Sequence, residues 1–589
     1  MKFLITSLVC VAALVAAGFW FLKPSEEPAA EKGKVSQPEE AAIEKPRDDV
    51  MLSPEKQQLI WDAEHITFQL EKKFGQAFRT ALAKRDVSAV RSFFKDDATG
   101  QIPTEGGWHE TVQAPLQRSK RTAEDGLVAA SADEVVAQLL EELDAITEVE
   151  RHKLRVLKIN KLSEQSWECR LLLVLVGAGE DVKHVISESE HIVQFEIEDK
   201  DNLESAASII AWNFDKQSRR SSTQTFMQEV TKEVGLGNLA IPDNWRASKR
   251  LPNWFQLGVA DYDKDGDPDI AITTNKGKRF VLENKDGAYV HATKKLRIPA
   301  AFPTQPSHFL SVWFDYNNDG YPDLLSGQQL FRNEEGKTFT DVTRQAGLKP
   351  QANSSGGVVA DYDCDGHLDI YFVNQSPAVR DRSKKASWVS DNDSGAENHL
   401  WRNKGDGSFE FVSPVANAGG GMRASHSAIW FYYDDDKYPD LYVANDFGKN
   451  VLLRNKGDGT FEDVSVPSQT DGYSTSMGIA AGDIDNNGQA DLYVSNMYSK
   501  MGRRIIGMVS ADDYPDDIYE QICGSCAGNR LYLRENDDPT RFYDVGEKLH
   551  VNGVGWAWGP TMADFDSDGW LDLYSTTGYM SATRGKPDG

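Results

Sequence analysis

The chain has 589 residues, with 91 acidic side chains against 64 Lys and Arg and a formal charge of −27. Hydrophobic residues make up 40% and aromatic residues 10%, too much apolar material for a disordered acidic polymer, and the length asks for more than one core. The acidity argues against a nucleic-acid binder, which needs a basic footprint, and five cysteines exclude a disulfide-dense scaffold.

The first segment, residues 1–22, holds an apolar run from Phe3 to Leu22. As a helix it would span about 30 Å, the thickness of a bilayer core. Val15-Ala16-Ala17 could serve a signal peptidase, whereas Phe19-Trp20-Phe21 suits an interfacial anchor. The segment therefore reads as a signal anchor entering the membrane through residues 3–22, or as a cleaved signal peptide. Either one exports the rest, to the periplasmic or cell-surface side when anchored and as a secreted protein when cleaved. Residues 23–49 hold four Pro and eight acidic side chains with almost no large apolar residue; such a stretch is a disordered linker.

Residues 50–216 read as an α+β domain. Ile66, Leu70, Phe74, Phe78 and Leu82 recur every four residues and form one helical stripe. A short helix follows Asp86, helical pattern returns at 132–145, and strand-like runs occupy 154–159, 167–176, 185–197 and 207–214. The segment from Phe78 to Phe94, with this order of elements, resembles the opening helix pair of the cone-shaped NTF2-like (SnoaL-like) fold. That resemblance implies a pocket, which in some members carries a His/Asp pair and in many serves only docking. His65 and His109 are the candidate histidines, with no supporting motif nearby.

The second half, residues 217–589, is built from repeats. Asp261, Asp263, Asp265, Gly266, Asp267 and Asp269 set the pattern. It returns as Asp315, Asn317, Asp319, Gly320, Tyr321, Asp323, and as Asp361, Asp363, Asp365, Gly366, His367, Asp369. Two later copies are Asp483, Asp485, Asn487, Gly488, Gln489, Asp491, and Asp564, Asp566, Asp568, Gly569, Trp570, Asp572. A degenerate copy runs from Tyr432 to Asp440, with Lys437 in place of Gly. Ca²⁺ takes six to eight hard oxygen ligands. Positions 1, 3 and 5 of a tight loop supply side-chain oxygens, Gly at 6 permits the turn, position 7 offers its carbonyl, and Asp at 9 closes the shell. The pattern predicts about five Ca²⁺ sites, with the loop Tyr432–Asp440 weak or empty and the Lys437 ammonium standing in for the ion's charge.

EF-hands close with Glu at position 12 between helices, whereas the flanks here read as strands, such as 257–260 before a loop and 370–373 after one. A second hairpin follows, with tips such as Gly405-Asp406-Gly407 and Gly457-Asp458-Gly459 that demand positive φ. Four-stranded units of this size are propeller blades. Over residues 222–589 the units resemble FG-GAP/VCBS repeats, the blades of integrin α-type propellers. The Asn-x-Gly-Asp-Gly-x-Phe-x-Asp-Val pattern with Val-Ala-Asp-Tyr-Asp is most similar to the cartilage-acidic-protein-like (ASPIC/UnbV-associated) group. The fold class expected is thus multidomain: a membrane helix, an α+β NTF2-like domain, then an all-β propeller. Six visible motifs imply six or seven blades, the last incomplete because no hairpin follows 571–576. The segment 225–236 parallels 338–348 and reads as an orphan outer strand that closes the ring.

All calcium loops should lie on one face. The long insertions, about 376–397 and 497–528, fall on the other, where the expected protein or glycan ligand would bind. Gly356, Gly357, His426, Ser427, Ser476 and Gly478 are placed to line an axial channel, with His308 and His426 more simply hydrogen-bonded than ligating. Trp313, Trp430, Trp556 and Trp558 suit packing between blades. Cys523 and Cys526, in an exported loop, suit a small disulfide clip. The function expected is an exported, membrane-anchored, non-catalytic recognition or adhesion module with no catalytic residues. The alternatives are an enzyme of the propeller or of the 50–216 pocket, acting on a substrate such as polysaccharide, and an architectural surface protein.

Overall fold

A computed structural model describes residues 52–578 except 114, 204–206, 226, 240–254, 275–276, 302–309, 350–353, 376–394, 435 and 515–517. The segments 1–22 and 23–49, His308 and most of the 376–397 insertion lie outside the described residues. The chain divides into two compact units. The first takes in the described residues through Glu229 together with Lys500–Tyr514; the second runs from Val230 to Ser499 and resumes at Pro515.

The first unit begins with α1 (Pro54–Gln69), where Ser53 Oγ accepts the Lys56 N–H at the N-cap. A single π-helical turn over Leu70–Phe74 leads into α2 (Gly75–Ala83). The stripe Ile66, Leu70, Phe74, Phe78, Leu82 is buried throughout. After α3 (Val87–Arg91) come β1 (Phe94–Pro103), β2 (His109–Gln113), β3 (Leu116–Thr122), β4 (Leu127–Ser131) and α4 (Ala132–Glu141). Ser131 and Glu134 form a capping box at the start of α4. Four long strands follow: β5 (Glu148–Lys161), β6 (Ser166–Ala178), β7 (His184–Ile197) and β8 (Ala207–Ser222). The sheet order is β2-β3-β8-β7-β6-β5, with β1 joining β8 in parallel. Buried and part-buried residues alternate strictly along β6 and β7, the period-2 pattern that puts Leu171, Leu173, Val193 and Phe195 on the core face with the helices.

Among its described residues the second unit contains seven antiparallel sheets, six in a repeating series and one small pair, Gly448–Lys449 with Tyr473–Ser474. The first is β9 (Phe255–Ala260), β10 (Asp269–Thr274), β11 (Arg279–Lys285) and β12 (Ala288–His291). The second is β13 (Ser311–Phe314), β14 (Asp323–Ser326), β15 (Gln329–Glu334) and β16 (Thr338–Asp341). The third is β17 (Ser354–Ala360), β18 (Asp369–Asn374), β19 (His399–Asn403) and β20 (Phe409–Phe411), followed by the short α5 (Ser413–Ala416). The fourth is β21 (Ser425–Phe431), β22 (Asp440–Asn445), β24 (Val451–Asn455) and β25 (Phe461–Asp463), with β23 (Gly448–Lys449) paired to β26 (Tyr473–Ser474) outside it. The fifth is β27 (Ser476–Gly482), β28 (Asp491–Asn496), β29 (Arg530–Arg534) and β30 (Phe542–Asp544). The sixth has two strands, β31 (Ala557–Ala563) and β32 (Asp572–Thr577). First strands lie side by side in chain order from β9 to β31.

An Asn at or next to the end of three third strands welds neighbouring sheets. Asn333, Asn403 and Asn455 each donate through Nδ2 to the carbonyl of the preceding loop's second residue, Tyr262, Tyr316 or Tyr362, at 2.7–2.9 Å. In the fifth sheet Arg534 takes this place and reaches the carbonyls of Tyr432 and Tyr433. Three fourth strands also donate one N–H to the turn of the unit before them. Phe339 bonds Leu296, Phe409 bonds Ala346, and Phe542 bonds Ser468.

These features correct the expected fold. Among the described residues no helix is long and apolar enough to cross a membrane. Where a ring of six or seven blades was expected, the described residues of the second unit form open sheets whose strands pair within a sheet and whose neighbours meet through side chains and single bonds. The supposed closing strand at 225–236 is not a strand. Its carbonyl at Val234 accepts the Tyr289 N–H of β12 (2.9 Å), and Leu236 and Leu239 pack on Ile272, Phe280 and Leu282 of the first sheet. It plays the part of a preceding unit's turn. The insertion at 497–528 also divides: α6 (Lys500–Ile506) belongs to the first unit, where Arg504 forks onto Glu64 (2.7 and 2.9 Å) and donates to the Val156 carbonyl. The end of that insertion is α7 (Ile518–Cys526), and no disulfide joins Cys523 to Cys526 on it.

Candidate metal centres

The Asp-rich loops join first to second strands, and their own carboxylates hold them in shape. The first Asp of each regular loop, at 261, 315, 361, 483 and 564, accepts the N–H groups of positions 5 and 6, one on each oxygen, at 2.6–3.1 Å. Position 5 in turn accepts the N–H of position 7, from Asp267, Tyr321, His367, Gln489 and Trp570. Position 6 is Gly at φ 88–96°, and position 4 also has positive φ in Lys264, Asn318, Cys364, Asn486 and Ser567. That left-handed position 4 reaches across to the next loop. Lys264 lies over the Tyr321 ring, Asn318 donates to the Gly366 carbonyl, and Asn486 donates to the Gly569 carbonyl.

The ninth-position Asp does more than close a shell. Asp269, Asp323, Asp369, Asp440 and Asp491 are wholly buried. One oxygen accepts the N–H of position 2, and the other accepts a third-strand N–H, from Asn284, Asn333, Asn403, Asn455 or Arg534. Burial pushes these carboxyls up against the pull of their N–H donors, to about 6 for Asp269, Asp440 and Asp491, about 7 for Asp323 and about 8 for Asp369. Asp572 keeps the bond from Phe565 N–H but is exposed, and among the described residues no third strand pairs with β32. The degenerate loop keeps Asp440 although position 1 is Tyr432. The ninth Asp therefore serves the loop-to-strand junction whether or not an ion is held.

Four loops bring three carboxylates together with ligand atoms within 4.8 Å of one another: Asp261/Asp263/Asp265, Asp361/Asp363/Asp365, Asp483/Asp485/Asp491 and Asp564/Asp566/Asp572. Oδ1 of Asp263 and Oδ1 of Asp363 are buried with no hydrogen-bond partner. An orphaned carboxylate oxygen at position 3 is what a metal ion would satisfy, so the donor sets fit a hard cation. The fit differs between loops. In the second loop Asn317 Nδ2 donates to Asp319 at 2.9 Å, so an amide already serves one of its oxygens. In the third loop Arg402 bridges Asp363 (2.6 Å) and Asp365 (2.8 Å), alongside the orphaned Asp363 oxygen. In the degenerate loop Arg454 holds Asp434 at 2.6 Å, while the Lys437 ammonium lies over the Tyr438 ring. The standing-in charge is thus Arg454 and not Lys437.

The first unit holds a separate polar chain in its core that the sequence reading passed over. Ser189 Oγ donates to Glu142 (2.7 Å), His191 Nε2 lies 2.9 Å from Ser189 Oγ, and Trp212 Nε1 donates to His191 Nδ1 (3.0 Å). Because Nδ1 accepts, Nε2 carries the proton. Burial raises Glu142 to about 7 and lowers His191 to about 3. The candidates His65 and His109 lie elsewhere, with Nε2 2.9 Å from an Asp201 oxygen and 2.7 Å from an Asp125 oxygen. The only sequence sign of the buried chain is polar residues at core-facing register positions of β7, Ser189 and His191, among apolar ones.

A family model described as an FG-GAP-like repeat matches residues 261–326, 315–372, 432–494 and 516–575. Cartilage acidic protein 1 of Homo sapiens is 27% identical over 419 residues, which is 59% of this chain and 59% of that protein. The Xenopus tropicalis protein is 22% identical over 56% of this chain and 59% of its own length. The chain thus spans about three fifths of the length of these curated relatives. A solved hexachlorocyclohexane dehydrochlorinase from Novosphingobium barchaimii is 12% identical over 28% of this chain and 86% of its own, at a TM-score of 0.16, too slight a likeness to assign a fold. On its loops, its strand register and these matches, the chain is similar to FG-GAP-like repeats over the matched residues and to cartilage acidic protein 1 over about three fifths of its length.

Proposed function

We propose that this protein is an exported, calcium-dependent, non-catalytic recognition module. It binds a protein or glycan on the side of the sheets away from the Asp-rich loops, and Ca²⁺ in those loops stiffens the sheets. The observation that carries this reading is the set of preformed carboxylate loops, with unpartnered oxygens on Asp263 and Asp363, in repeats like those of cartilage acidic protein 1. All-oxygen donor sets of this kind suit Ca²⁺ over softer metals. The Asp261 loop fits best; Arg402 and Asn317 weaken the Asp361 and Asp315 loops. An enzyme in the first unit has the Glu142–Ser189–His191 chain in its favour, but that chain is wholly buried in the core, away from any substrate in solvent. Probing glycan and protein arrays with the full chain, in Ca²⁺ and in EDTA, tests the proposal. Capture that depends on Ca²⁺ supports it, and no capture in either condition refutes it.

A further inference from the structure

Four sheets of the second unit share one irregularity. In the third, Ser354 pairs with Asn374 and Gly356 with Val373, so Ser355 is an extra residue. The same slip leaves out His426 in β21, Met477 in β27 and Trp558 in β31. A bulge bends its strand and takes one side chain out of the in-out alternation. Each sits at the end of a first strand far from the Asp-rich loop. First strands are neighbours, so the freed side chains converge. The rings of His426 and Trp558 meet edge to face with centroids 6.1 Å apart, although β27 stands between their strands.

Two more side chains reach the same point. Gln375 follows the last residue of β18, and Asp446 holds the equivalent place after β22. Gln375 Nε2 lies 2.7 Å from His426 Nε2, and Asp446 Oδ2 lies 3.6 Å from the same nitrogen. The His426 side chain is 7% exposed and that of Asp446 16%. Asp446 Oδ1 is buried with no hydrogen-bond partner, as is Ser427 Oγ beside His426. The site thus brings together an imidazole, an amide and a carboxylate, with one carboxylate oxygen unused.

We propose that Gln375, His426 and Asp446 hold a first-row transition-metal ion such as Zn²⁺ or Co²⁺, at the opposite end of the sheets from the Asp-rich loops. The donors differ in kind from those loops: a neutral imidazole with one carboxylate selects a borderline metal, whereas sets of Asp oxygens select a hard one. Gln375 takes part by its amide oxygen, which a half-turn of the amide places where its nitrogen now stands. Asp446 offers Oδ2 on the imidazole side, and binding through both oxygens would also give its orphaned Oδ1 a partner; Trp558 shields the imidazole.

The test uses the full chain, stripped of metal and then given excess Ca²⁺ to fill the Asp-rich loops, with Co²⁺ as the probe. One equivalent of Co²⁺ should bind, with visible ligand-field absorption and a histidine nitrogen in its X-ray absorption spectrum, and Zn²⁺ should displace it. His426→Gln should abolish this binding, Asp446→Asn should weaken it at least tenfold, and His65→Ala should leave it unchanged. Far-UV circular dichroism and unchanged Ca²⁺ uptake would show that the variants fold. Should either variant misfold, the nitrogen signature in the unaltered chain decides the matter. Failure to bind Co²⁺ beside Ca²⁺, a shell of oxygens only, or undiminished binding in folded His426→Gln would each overturn the proposal and leave a hydrogen-bonded trio.

Discussion

At the scale of single residues, the ninth-position Asp separates two roles that sequence pattern runs together. Its recurrence reads as a metal ligand, yet Asp440 persists in a loop that has lost position 1, because its oxygens accept the N–H groups of Tyr433 and Asn455. Asp440→Ala leaves two buried donors unmet, at about 1–3 kcal/mol each. We expect urea unfolding in EDTA to show the second unit less stable by about 2–6 kcal/mol, with metal playing no part; a neutral substitution would refute the junction role. In the first unit, Glu142 and His191 oppose each other. The Glu142 contribution is full below its unfolded value of 4.5 and is lost as pH rises through about 7; that of His191 is full above 6.5 and is lost as pH falls toward about 3. Between pH 4.5 and 6.5 the two slopes cancel. Glu142→Gln should unmask His191, so that stability of the first unit rises with pH in that window by about 1.4 kcal/mol per unit. A profile as flat as that of the unaltered chain would show that the pair is not uncharged.

At the scale of elements, the loops were legible because their chemistry is local: a carboxylate at 1, 3, 5 and 9 and Gly at 6 sit within nine residues. What was not legible depends on partners far away in sequence. Arg454 neutralises Asp434 from a third strand twenty residues on, and nothing near Tyr432 or Lys437 announces it. The segment at 225–236 copies a strand-and-turn motif, but only its turn half is used, since β12 needs a carbonyl from Val234 and not another edge partner. The bulges at Ser355, His426, Met477 and Trp558 appear only once strands are paired. These findings change what would rebuild the degenerate loop. Tyr432→Asp with Lys437→Gly should leave Ca²⁺ stoichiometry unchanged while Arg454 holds Asp434, and adding Arg454→Gln should raise it by one. Equilibrium dialysis decides, and an extra ion in the double variant would contradict the role given to Arg454.

At the scale of the whole molecule, the long sheet and the helices packed on it lie in the first unit and the Asp-rich loops in the second. β8 runs on to Ser222, and Lys500–Tyr514, an insertion between strands of the second unit, is part of the first. That arm is fixed by Arg504 on Glu64 and by Lys56 on Asp513, partners more than 400 residues apart that no local pattern links. The acid excess also finds its place at this scale. Five ions would bring the formal charge from −27 to about −17, and without them each loop keeps carboxylates within a few ångströms of one another. The account therefore turns on calorimetry of the full chain in Ca²⁺ and in EDTA. It predicts that EDTA lowers the melting temperature of the second unit and leaves that of the first in place. A single transition unmoved by EDTA would contradict it.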